Sequence, residues 1–93
     1  MNEFYFHTKQ SPRVTISARV DGETMCFSAA RCGKRDQFCR KTGRLIASGR
    51  LQKNKCIRTL TVPDNADVRQ LFVTEAKVLA PQVQVHKDFL NHF

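Results

Sequence analysis

The chain has 93 residues, 26% of them charged and 41% hydrophobic, with a net charge of +8 at neutral pH. That suffices for one domain with its own core, the composition excludes a disordered chain, and no apolar run approaches the ~20 residues of a bilayer span. Glu3 sits where a secretion signal needs a basic region, so the expectation is a cytoplasmic protein with no membrane partner.

Phe4, Tyr5 and Phe6 form a short aromatic run suited to an edge strand, which Gln10-Ser11-Pro12 interrupts. The strongest local pattern follows. Residues 14 to 20 and 23 to 29 each alternate apolar with polar around Asp21-Gly22, and Asp-Gly favours a two-residue type I′ hairpin. With Asp21 and Gly22 as the loop, Val20 faces Glu23, Ala18 faces Met25, Ile16 faces Phe27 and Val14 faces Ala29. Three of those four pairs are apolar, and all lie on one face.

Gly33 ends the second strand, and Asp36 is placed to cap a helix. At 100° per residue, Phe38, Cys39, Thr42, Leu45, Ile46 and Gly49 gather on one side, with Gln37, Arg40, Lys41, Arg44 and Ser48 on the other. Gly43, at the border, is read as a point of close packing on the hairpin, and Gly49 as the C-terminal cap. Residues 55 to 62 are rich in β-branched side chains and read as a strand. Pro63-Asp64-Asn65 stops it and caps a second helix, where Val68, Leu71, Phe72, Ala76 and Leu79 follow helical spacing. Pro81 is expected to end that helix, leaving Val83 and Val85 for a last short strand. Phe89, Leu90 and Phe93 either dock on the core or form an oligomer contact, so a homo-oligomer stays open. The fold class is α+β: a small antiparallel sheet built on a hairpin (about residues 13–32), with helices over about residues 36–48 and 65–79 on one face.

Charge is distributed unevenly. From Arg31 to Arg58 there are ten lysines and arginines against one acid, Asp36, whereas the rest of the chain holds six bases and seven acids. Gly33-Lys34-Arg35 precedes the expected helix N-terminus, where free amides and the helix dipole favour an anion. Arg31 is placed to complete that site. Arg40, Lys41 and Arg44 make a basic stripe along the helix, with Arg50, Lys53, Lys55 and Arg58 beyond it. Such a stripe is the electrostatic footprint of nucleic-acid contact, and a solvated helix face is the plain alternative. No base-reading signature accompanies it, so backbone contacts would dominate.

The cysteines, Cys26, Cys32, Cys39 and Cys56, contain no close C-x-x-C pair. Cys26 and Cys32 on one extended strand would lie ~20 Å apart, too far for one ion. Free thiols are the expectation, with no metal and no cofactor. His7, His86 and His92 lie far in sequence from any nucleophile, and the acids show no paired pattern, so binding is favoured over turnover.

The pattern Cys32-x-x-x-Asp36-x-Phe38 followed by Gly43-Arg44-x-Ile46-Ala47-x-Gly49-Arg50 resembles a motif of small phage and prophage proteins, in which a hairpin feeds a helix bearing paired Gly-Arg dipeptides. The resemblance covers about residues 14 to 51. It implies a mobile-element origin and roles such as host takeover or inhibition of host defence, and it assigns no binding residue. The sequence thus points to a non-enzymatic basic module that engages nucleic acid or a nucleotide-like, phosphorylated ligand through Arg31, Lys34, Arg35, Arg40, Lys41, Arg44 and Arg50. The alternative is an inhibitor that binds a host protein.

Overall fold

A computed structural model describes residues 3–9, 13–31, 40–53 and 56–85, with the side chains of the first helix described from residue 43 onward. Its elements run β1 (Glu3–His7), β2 (Val14–Asp21), β3 (Thr24–Arg31), α1 (Arg40–Gln52), β4 (Arg58–Thr61) and α2 (Val68–Val85). The four strands form one antiparallel sheet in the order β1-β2-β3-β4. The fold is α+β, as the patterning implies. The hairpin loop is displaced by one residue, to Gly22-Glu23, and Asp21 pairs with Thr24. Gly22 takes φ +63° and Glu23 has no positive φ, the signature of a type II′ rather than a type I′ turn. The physical reason is the apolar face. Each pairing moves by two positions, so every residue keeps its face, but Val20 now meets Met25 instead of Glu23. Ala18 meets Phe27 and Ile16 meets Ala29.

That face carries the main core. Ile16 and Phe27 are fully buried, as their place in the hairpin requires. Across the sheet, Phe4 pairs with Ala18 and Ala18 with Phe27. The small alanine leaves a trough between two rings, and Phe72 of α2 fills it. Its ring stacks on Phe4 (5.4 Å, 27°) and on Phe27 (5.9 Å, 8°). Ala76, Leu79, Ala80 and Val83 continue the same stripe, and each is buried. Fully burying a Phe, Leu or Val side chain is worth about 1.5–3 kcal/mol, which makes α2 the main hydrophobic cover.

α2 is displaced and lengthened relative to the sequence reading. Pro63 to Ala66 form a turn closed by Ala66 N–H to Pro63 O at 3.2 Å, with Asn65 at φ +62°, a conformation asparagine tolerates. The N-cap is Asp67, whose Oδ1 accepts the Gln70 N–H at 3.2 Å. The helix continues through Pro81, and Val83 and Val85 are helical rather than a strand. Pro81 cannot donate to the Lys77 carbonyl, but continuation places Ala80 and Val83 on the core. Tertiary burial outweighs the local break.

The helices do not share a face. Strand alternation puts Glu3, Tyr5, His7, Thr15, Ser17, Cys26, Ser28 and Ala30 on the side opposite Phe27, and α1 lies there. A Cβ on Gly43 would stand 2.3 Å from Thr15 Oγ1, so the helix backbone does approach the hairpin closely at this glycine. The inward residues of α1 are Ala47 and Leu51, both fully buried, whereas Leu45 is 65% and Ile46 43% exposed. The expected inward stripe is therefore turned outward. Over the serines, threonines and alanines of this face the close approach at Gly43 leaves room for Ala47, and Leu51 is the one large apolar side chain of α1 buried there among the described residues. α1 also runs past Gly49 to Gln52. Asp36, Phe38, Cys39 and the C-terminal trio Phe89, Leu90 and Phe93 lie outside the described residues.

Candidate functional site

α1 contains four bases, Arg40, Lys41, Arg44 and Arg50, and no acid. Arg44 and Ser48, one turn apart, share the flank of α1 that faces β1. Two contacts fix that flank. Ser48 Oγ donates to Glu3 Oε1 at 2.7 Å, and the Arg44 guanidinium lies over the Tyr5 ring, 5.8 Å from its centroid. Arg44 is exposed and Tyr5 is 36% exposed. A cation–π contact at such a site is worth about 0.5–1 kcal/mol. It orients the guanidinium while leaving its in-plane N–H groups open to an acceptor. An arginine held in this way loses less side-chain freedom on meeting a phosphate than one that is free in solvent.

The remaining sequence-selected cations separate. Arg50 Nη1 donates to the backbone carbonyl of Ala29, and burial lowers the arginine's pKa from its ordinary value. The Ala29 carbonyl has a structural need. Ile57 N–H donates to Phe27 O at 2.8 Å, and carbonyls two residues apart on a strand point the same way. Ala29 O therefore faces the β4 side, beyond the last strand residue that pairs there. Arg50 takes the place of the missing donor. Arg31 is half-buried at the end of β3, and alternation from Phe27 and Ala29 puts it on the α2 face, away from Arg44. Arg58 pairs with Glu75 of α2, also on that face. Lys34 and Arg35, with the proposed anion turn, lie outside the described residues.

Two features of this side of the sheet go beyond the sequence reading. Tyr5 was legible as a strand residue, but its pairing with Arg44 needs the helix to lie on the side of the sheet that carries Ser17. Cys26 and Cys56 are both half-buried free thiols, and they meet through a side-chain hydrogen bond. Burial first, then that bond and the charge of Cys26, push the Cys56 thiol up to about 11, against a smaller lowering by Arg19. Such a thiol stays protonated and unreactive at neutral pH. Among the described residues, no group of three or more His, Cys, Asp or Glu side chains could hold a metal ion, and no helix is long and apolar enough to cross a membrane. No known family model, curated protein or solved structure matches this chain.

Proposed function

We propose that the β1-facing flank of α1 is a non-catalytic binding surface for a phosphate-bearing partner, nucleic acid or a nucleotide-like ligand. The observation that carries this reading is Arg44. It is an exposed guanidinium braced on Tyr5, on an acid-free helix whose first turn holds Arg40 and Lys41. Partner phosphates displace counterions on contact with such a flank, so affinity falls steeply with salt. The test is binding of labelled duplex DNA, single-stranded DNA and RNA across a salt series, with an Arg40/Lys41/Arg44→Ala variant confirmed to be folded. The variant should bind more weakly and flatten the log–log salt dependence on duplex by about two to three. An unchanged slope removes the proposal from this flank.

A second reading has its own observation. Leu45 and Ile46 are exposed on the same helix, and a helix that is apolar and basic together suits an acidic protein surface. The resemblance to phage proteins makes a host protein the natural partner. In that case a stoichiometric complex is lost in Leu45→Asp, while nucleic-acid binding is not.

A further inference from the structure

A cleft of about 260 Å³ opens on the side of the sheet away from α1, where the C-terminal half of α2 passes the end of β1. Four of its lining residues, Lys77, Ala80, Pro81 and Gln84, follow one another at helical spacing along α2. Phe6, Thr8 and Lys9 supply the opposite wall. Phe6, Ala80 and Pro81 make its apolar surface, and the proline adds a rigid ring.

The charged side chains described around this cleft have one sign. Among the described residues, two lysines and no acid line it. Lys9 and Lys77 are exposed, and among the described residues neither side chain takes part in a hydrogen bond or ion pair. The one acid of α2, Glu75, is engaged by Arg58 of β4, at the opposite edge of the sheet from β1. Thr8 is held by the backbone. Its Oγ1 accepts the Val14 N–H at 2.8 Å and its N–H donates to Val14 O at 2.9 Å. The Arg13 side chain adds a bond to Thr8 O at 2.5 Å. The β1 wall is thus fixed, whereas the lysine ammonium groups are free to turn toward a ligand.

We infer that this cleft binds a small organic anion, a carboxylate or phosphate carried on a flat apolar body, with Phe6, Ala80 and Pro81 against the body and Lys9 and Lys77 on the charged head. The volume sets the size. It falls below the roughly 300–1,000 Å³ of sites for drug-sized ligands, which limits the occupant to about one ring and its head group. Affinity for an isolated fragment is then on the order of 1 mM. The site is independent of the surface on α1 and stands whether or not that surface binds nucleic acid.

The test uses the full chain labelled with ¹⁵N and titrated with phenyl phosphate and with benzoate. Benzyl alcohol serves as the uncharged counterpart and inorganic phosphate as the bare head group. The expected result is saturable shifts of the Lys9, Lys77, Ala80 and Gln84 amides with either aryl anion. Benzyl alcohol and a Lys9/Lys77→Ala variant should each bind at least about fivefold more weakly, as loss of a charge-assisted contact requires. Inorganic phosphate should give no saturable shift at these residues. Equal binding of benzyl alcohol, undiminished binding by the double variant, or saturation by inorganic phosphate alone would each overturn the assignment. So would the absence of saturable shifts at up to roughly ten times the expected dissociation constant, or shifts centred on Arg44 instead.

Discussion

Gly43→Ala offers a sharp test of how α1 meets the sheet, because helix propensity and packing predict opposite signs. Alanine should favour an isolated helix by about 1 kcal/mol. Here the new Cβ would lie 2.3 Å from Thr15 Oγ1, 3.1 Å from Thr15 Cβ and 3.7 Å from Thr15 Cγ2. Thr15 has little room to yield. It is 1% exposed, and its hydroxyl shares a 2.9 Å hydrogen bond with His7 Nδ1. Rotating it away loses that bond, about 1 kcal/mol. Lifting the helix instead loosens Ala47 and Leu51, an overpacking cost of about 1–3 kcal/mol. Set against the roughly 1 kcal/mol gained in propensity, the net expectation is destabilisation by up to about 2 kcal/mol, read from urea unfolding followed by circular dichroism with an unchanged m-value. A double-mutant cycle with Thr15→Ala isolates the cause. That change removes Oγ1 and Cγ2 and leaves only the 3.1 Å contact, so Gly43→Ala should then cost little or nothing. Stabilisation by about 1 kcal/mol in both backgrounds would refute the close approach.

Arg50→Ala removes the donor to the Ala29 carbonyl and should destabilise by about 1–3 kcal/mol, the cost of an unsatisfied buried group. If Arg50→Ala melts like the parent in the same urea titration, Arg50 is a surface cation after all. Cys56 sets a pH dependence. Its thiol is protonated in the folded chain up to about 11, while in the unfolded chain it ionises near its ordinary value of 9.0. Between those values the unfolded state binds fewer protons, so this group's contribution to stability falls as pH rises. Thermal melts should show the parent losing ground to Cys56→Ala across that window. A difference between the two that is flat with pH would show that Cys56 is not held in its thiol form.

The parts legible in the sequence are those governed by alternation with period two. The face carrying Ile16 and Phe27 survives a two-position change of pairing, because such a change never moves a side chain through the sheet. The loop itself was harder to read. Asp21-Gly22 fits a type I′ turn locally, and only the match of Val20 with Met25 selects the alternative. The inward side of α1 was not legible for a different reason. Leu45 and Ile46 are the larger apolar residues, but their destination depends on what covers the sheet, and here that partner surface is polar and small. Pro81 misleads in the same way, since a local penalty says nothing of the burial awaiting Val83. Among the clustered charges, helical spacing put Arg44 on the polar side of its helix, and Arg44 is exposed. The clustering could not separate Arg50, which completes the backbone hydrogen bonding of β3, from cations free to meet a ligand.

The polar underside of the sheet has a further consequence. The seat of α1 rests on Ala47, Leu51 and the gap at Gly43, with few apolar atoms between helix and strands among the described residues. It also covers Ser17, whose buried hydroxyl has no hydrogen-bond partner among the described residues and would regain water if the helix lifted. The two layers therefore rest on different contacts: α2 on a stripe of buried apolar side chains, and α1 on a close backbone approach tied by Ser48, Arg44 and Arg50. A partner gripping Arg44 and Tyr5 together would contact both the helix and the strand beneath it. Its binding energy would include the work of keeping that seat closed, so affinity and local order on this face would rise and fall together.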